Sequence, residues 1–65
     1  MKSNDVQRIR KKLKLSQSEF AELIGVSTGS VQDWEQGRHA PRGSAVAMLK
    51  LADAGTLTPP PKRKA

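Results

Sequence analysis

The chain has 65 residues, no cysteine and a net charge of +6, from 12 Lys and Arg against 6 Asp and Glu. That is the size of one small domain, which hides only about 60 % of the surface its unfolded form exposes. With no Cys and a single His, it excludes disulfides, thiolate sites and the usual zinc ligand set.

A pI near 10.4 favours polyanionic partners. Lys62, Arg63 and Lys64 supply half of the net charge, so the body without them still carries +3. No apolar run approaches the roughly 20 residues that span a bilayer. The opening "MKSNDVQRIR" lacks the apolar core of a signal peptide. The expectation is a soluble, cytoplasmic protein with no cofactor, no metal, no membrane contact and no small-molecule substrate.

An all-α fold of four helices is predicted, over about residues 4–14, 17–24, 28–36 and 42–53. In the first, Asn4 is the expected cap, with Gln7 reaching back as in a capping box. Val6, Ile9 and Leu13 then form one apolar face. Arg8, Lys11, Lys12 and Lys14 gather toward its C-terminus, where the helix dipole favours positive charge.

Ser16 and Glu19 form a second capping box ahead of Phe20, Ala21, Leu23 and Ile24. Gly25 stops that helix and Val26 links onward. Ser27 caps the third helix, whose first half is nearly bare of side chain, and Gly37 ends it. "RHAPRG" is a loop, with Pro41 expected at the start of the fourth helix. Ala45, Met48, Leu49 and Ala52 give that helix its inner stripe, and Gly55 ends it. The division expected is a folded domain over residues 1–55 and a disordered Pro/Lys-rich tail over 56–65, where "PPPKRKA" has no helical or strand period.

Three residues, Gly25 to Ser27, join helices two and three. A turn that tight makes two short helices cross steeply, as in a helix-turn-helix. Ala21 permits the close approach, and Gly25 tolerates positive φ. Val31 and Trp34, at i and i+3, face inward and meet Phe20, Ile24 and Val26. That register assigns Trp34, the chain's only tryptophan, to the core rather than to stacking on a base. On a 100° wheel, Thr28, Gly29, Gln32 and Asp33 then point away from the core in the helix's N-terminal part.

"LSQSEFAELIGVSTGSVQDWEQGRHAP" resembles the helix-turn-helix of the phage repressor/Cro family, also called XRE, over roughly residues 5–53. Its "WEQGRHAP" exit, with a short fourth helix, further resembles antitoxins of the HigA type. The resemblance implies a lambda-repressor-like fold, sequence-specific binding of double-stranded DNA, and a transcriptional regulator of the repressor type rather than an enzyme. Helix three would enter the major groove. Gln32 is the leading base reader, because Gln matches adenine N6 and N7. Thr28 suits a thymine methyl, and Gly29 suits close approach. Asp33 either accepts from cytosine N4 or pairs with Arg38.

Phosphate contacts are expected from Gln17, Ser27, Ser30, Arg38, His39, Arg42 and Ser44. The resemblance also implies a structural Arg10–Glu35 salt bridge. A homodimer is a further expectation. So is a toxin or other protein partner, met through an apolar patch of Ala47, Leu51 and Leu57. The bare third helix equally suits an engineered or excised domain of this family. No triad geometry, Gly-rich phosphate loop or metal set supports catalysis.

Overall fold

A computed structural model describes residues 2–57. Among these it forms four helices: α1 Ser3–Lys12, α2 Gln17–Ile24, α3 Thr28–Gln36 and α4 Ser44–Asp53. The family expectation of a four-helix, all-α fold holds. α3 packs on both α2 and α1, while α4 closes the base against α1 and α2.

The start of α1 differs from expectation. Lys2, not Asn4, is the cap residue, and its N–H donates to the Asp5 carboxylate at 3.1 Å. A charged acceptor in the first turn also suits the helix dipole. Gln7 does not reach back, because its amide donates across the domain to the Glu35 carbonyl at 3.1 Å. The helix also ends before residue 14. Lys14 takes a left-handed backbone at φ 60°, the one non-glycine residue to do so among those described. Arg10 Nη1 donates to the Leu15 carbonyl at 3.0 Å and ties down this turn.

α2 and α3 begin and end on local chemistry. The Glu19 N–H donates to Ser16 Oγ at 3.1 Å, and the Ser16 N–H donates to Glu19 Oε1 at 2.9 Å. Ser27 Oγ accepts the Ser30 N–H at 3.2 Å. Gly25, at φ 88°, lets its own N–H and that of Val26 both return to the Ala21 carbonyl, at 2.8 and 2.9 Å. This turn sets the crossing of the two helices.

α4 starts at Ser44, two residues later than predicted, behind Gly43 at φ 61°. Pro41 therefore lies in the connection rather than in the first helical turn, and it is buried there. A fixed φ stiffens the approach, and the missing N–H has no helical partner to lose.

Val6, Ile9, Phe20, Ala21, Ile24, Val31, Trp34, Leu49 and Ala52 form the core. Leu13, Val26 and Met48, expected inside, are only partly buried and pack on its edge. Leu13 caps the end of α1 and Val26 lies in the turn between α2 and α3, where fewer neighbours surround them. Leu57, assigned to the tail and to an exposed patch, also packs on this core. The N–H groups of Thr56 and Leu57 both donate to the Leu51 carbonyl, at 2.9 and 3.1 Å, which folds the chain back after Gly55. The rest of the expected tail, 58–65, lies outside the described residues. Asp53 clamps α4 to α1, accepting from Arg8 at 3.1 Å and Lys12 at 3.4 Å, while Lys12 also donates to the Asp53 carbonyl at 2.8 Å.

Candidate nucleic-acid interface

α3 has one anchored face and one open face. Val31 and Trp34 are buried. On the other side Gly29, Gln32 and Gln36 are exposed, with Thr28 and Asp33 half-buried at the margins. The cap adds order at the helix start, because the hydroxyls of Ser27 and Ser30 lie 3.0 Å apart. Gly29 has ordinary helical φ, and a Cβ built there would meet only Ser27 Oγ, at 3.8 Å. The fold therefore does not require glycine at this position.

The last turn of α3 is fixed by Glu35. Arg10 Nε donates to Oε2 at 2.6 Å and Nη2 to Oε1 at 3.1 Å, a two-pronged pairing. The pair is shielded, with 17 % of the Arg10 side chain and 6 % of that of Glu35 exposed. Gln17 Nε2 adds a bond to Oε1 at 3.1 Å. With Gln7 on the Glu35 carbonyl, one residue of α3 holds side chains from α1 and α2. Burial pushes the Glu35 carboxyl up. The bonds from Arg10 and Gln17, with the charges of Arg10 and Lys11, more than reverse that and hold it below the usual carboxylate value. The bond from Glu35 outweighs the desolvation of Arg10 and raises its pKa.

This network redirects Gln17. One of its two amide N–H groups points at Glu35, so the side chain keeps its second N–H and its amide oxygen, beside the open N–H groups of the first turn of α2. The loop after α3 is basic. Arg38 Nη1 donates to Asp33 Oδ1 at 3.3 Å, and the Arg38 and His39 N–H groups donate to the Asp33 carbonyl at 2.9 and 3.4 Å. His39, Arg42 and Ser44 are exposed, and no side-chain hydrogen bond or ion pair joins Arg42 or Ser44 to α3. So the structure brings Gln17, Glu35 and Arg10 together, and Asp33 with Arg38, while Arg42 is exposed in the connection and Ser44 at the start of α4.

Lys11 and Lys14 were not among the expected site residues. Both are exposed and have no carboxylate partner among the described residues. Lys11 lies close enough to Glu35 for its charge to be felt there. Lys14 stands in the turn that leads into α2. Their charge is visible in the sequence; their nearness to the starts of α2 and the end of α3 depends on how α1 packs.

A family model described as Helix-turn-helix matches residues 6–54. The chain belongs to the helix-turn-helix family, of the XRE type. This helix-turn-helix is also 40 % identical over 48 residues to Antitoxin HigA-2 of Vibrio cholerae serotype O1. The shared stretch is 74 % of this chain and 46 % of that protein, so the chain spans about half the length of the curated relative it matches. It is a DNA-binding module of the XRE regulator type. No helix among the described residues is long and apolar enough to cross a membrane.

Proposed function

We propose that this helix-turn-helix binds double-stranded DNA at preferred sequences, with α3 in the major groove, as the DNA-binding part of a cytoplasmic transcriptional repressor. One observation carries the reading: Gly29 and Gln32 are exposed directly opposite the buried Val31 and Trp34. A slim, outward helix face on a fixed base is what a groove about 12 Å wide admits. Gln32 would pair with adenine, Thr28 would meet a thymine methyl, and Gly29 would permit close approach.

Phosphates would be held by the start of α2 at Gln17, the cap hydroxyls of Ser27 and Ser30, and Arg38, His39, Arg42 and Ser44. Repression would follow from occupancy of an operator, with no chemical step. Two copies on half-sites about 34 Å apart would give a palindromic target.

A second reading extends the first. Similarity to Antitoxin HigA-2 favours an antitoxin whose other contact is a toxin. Ala47 and Leu51 of α4 are exposed, Leu51 by 42 %, and are the surface such a partner or a second copy would cover.

Selection of bound duplexes from a random library tests the proposal. Enrichment of a short motif supports sequence-dependent binding, and a repeated, symmetric motif adds dimeric recognition. Uniform recovery of all sequences contradicts it.

A further inference from the structure

We infer that Asp33 is a positioning residue, which holds the Arg38 guanidinium for a DNA phosphate instead of reading a base. The inference rests on the DNA-binding reading above and assigns a role within it. Its starting point is local. Gly37 takes φ 79° and turns the chain back on α3, so Arg38 returns beside Asp33, five residues earlier. Asp33 then grips Arg38 at both ends. Its carbonyl takes the Arg38 N–H at 2.9 Å, and its Oδ1 takes Nη1 at 3.3 Å.

Exposure divides the roles. The Asp33 side chain is 33 % exposed, against 66 % for Arg38. The Asp33 side chain is thus mostly shielded, while most of the Arg38 side chain faces solvent. Arginine carries five N–H donors in a rigid fork, so one bond to Asp33 leaves others for a phosphate. An unpaired carboxylate on this helix would be repelled by the DNA backbone; paired, its charge is cancelled where the chain needs net attraction. The other carboxylate near the end of α3, Glu35, is committed to Arg10 and Gln17 and cannot take Arg38 instead. His39 is held through its N–H on the same Asp33 carbonyl, at 3.4 Å, so the loop's backbone course does not depend on the carboxylate.

A double-mutant cycle on the full chain tests this. Affinities for the selected duplex and for a scrambled duplex are measured across a salt series for the parent, Asp33→Asn, Arg38→Ala and the double variant. Arg38→Ala should weaken both duplexes and reduce the salt slope by about 1, the mark of one lost phosphate contact. Asp33→Asn should weaken both by about threefold, the size an exposed ion pair supports, although it removes a negative charge. In the Arg38→Ala background the same change should no longer weaken binding. Tighter binding from Asp33→Asn in both backgrounds would mean plain repulsion and overturn the inference. Weaker binding of Asp33→Asn to the selected duplex alone, with the scrambled duplex unchanged, would mean base reading and overturn it too. Failure of the parent chain to bind either duplex would overturn the DNA-binding reading itself, and this inference with it.

Discussion

The Arg10 guanidinium holds both oxygens of the Glu35 carboxylate, at 2.6 and 3.1 Å, and its remaining arm holds the Leu15 carbonyl at 3.0 Å. One side chain of α1 thereby fixes the end of α3 and the turn into α2. Removing one member of a shielded pair leaves the other's charge uncompensated, which typically costs about 3–5 kcal/mol. Arg10→Ala and Glu35→Ala should each lose that much in urea unfolding. In a domain this small the variants should be largely unfolded at 37 °C, read by far-UV circular dichroism.

The same pair sets an acid limit. The folded Glu35 carboxyl lies below the usual value of 4.5, so its contribution is complete above that pH and is lost as pH falls through the folded value. Asp53 is shifted in the same direction, by the bond from Arg8 first, but it is exposed and adds little. Unfolding midpoints should therefore fall below about pH 4.5, and Glu35→Gln, although less stable at neutral pH, should show a shallower fall. A parallel curve for both proteins would assign the acid sensitivity elsewhere.

Gly29 should separate stability from binding. Its helical φ and open surroundings accept an alanine, which should stabilise the free domain by about 0.5–1 kcal/mol. If α3 presses against DNA there, Gly29→Ala should weaken binding while raising the melting temperature. A variant that is both more stable and equally tight would remove close approach from the account.

Backbone strain predicts a pair of opposite effects. Lys14 occupies a left-handed conformation at φ 60°, which costs a non-glycine residue about 1–2 kcal/mol. Part of that returns as unfolded-state entropy when glycine replaces it. Lys14→Gly should thus gain about 0.5–1 kcal/mol, whereas Gly25→Ala, at φ 88°, should lose about 1 kcal/mol. Thermal melts of the two variants check the signs.

Much of the fold was legible because its helix ends are written locally. Ser16 with Glu19, Ser27, Gly25 and Gly37 each carry a cap or stop that needs no tertiary partner. The i, i+3 register of Val31 and Trp34 identified the inner face of α3 and hence its outer one. Where tertiary contacts compete, local reading failed. Asn4 and Gln7 had the spacing of a capping box, but the Glu35 carbonyl captures Gln7. Lys14 fills the left-handed position of a helix C-terminal cap, with its N–H on the Lys11 carbonyl at 3.0 Å and the Leu15 N–H on the Arg10 carbonyl at 3.3 Å, and a lysine there carries none of the signal a glycine would. The clamp of Arg8 and Lys12 on Asp53 joins residues more than 40 positions apart, beyond any periodic signal. The pairing of Arg10 with Glu35 is implied by the family resemblance, since spacing alone does not bring them together.

Gln32 offers the most direct test of whether α3 reads bases from the major groove. Binding should be compared on the selected duplex and on copies in which 7-deaza-adenine replaces one adenine at a time, which deletes only the N7 acceptor in that groove. One substitution should weaken the parent chain by roughly 0.5–1.5 kcal/mol, the size of one hydrogen bond, and leave Gln32→Ala unaffected, with the same salt slope for both proteins. Equal affinity for every substituted duplex, or an equal loss with and without Gln32, would contradict the account.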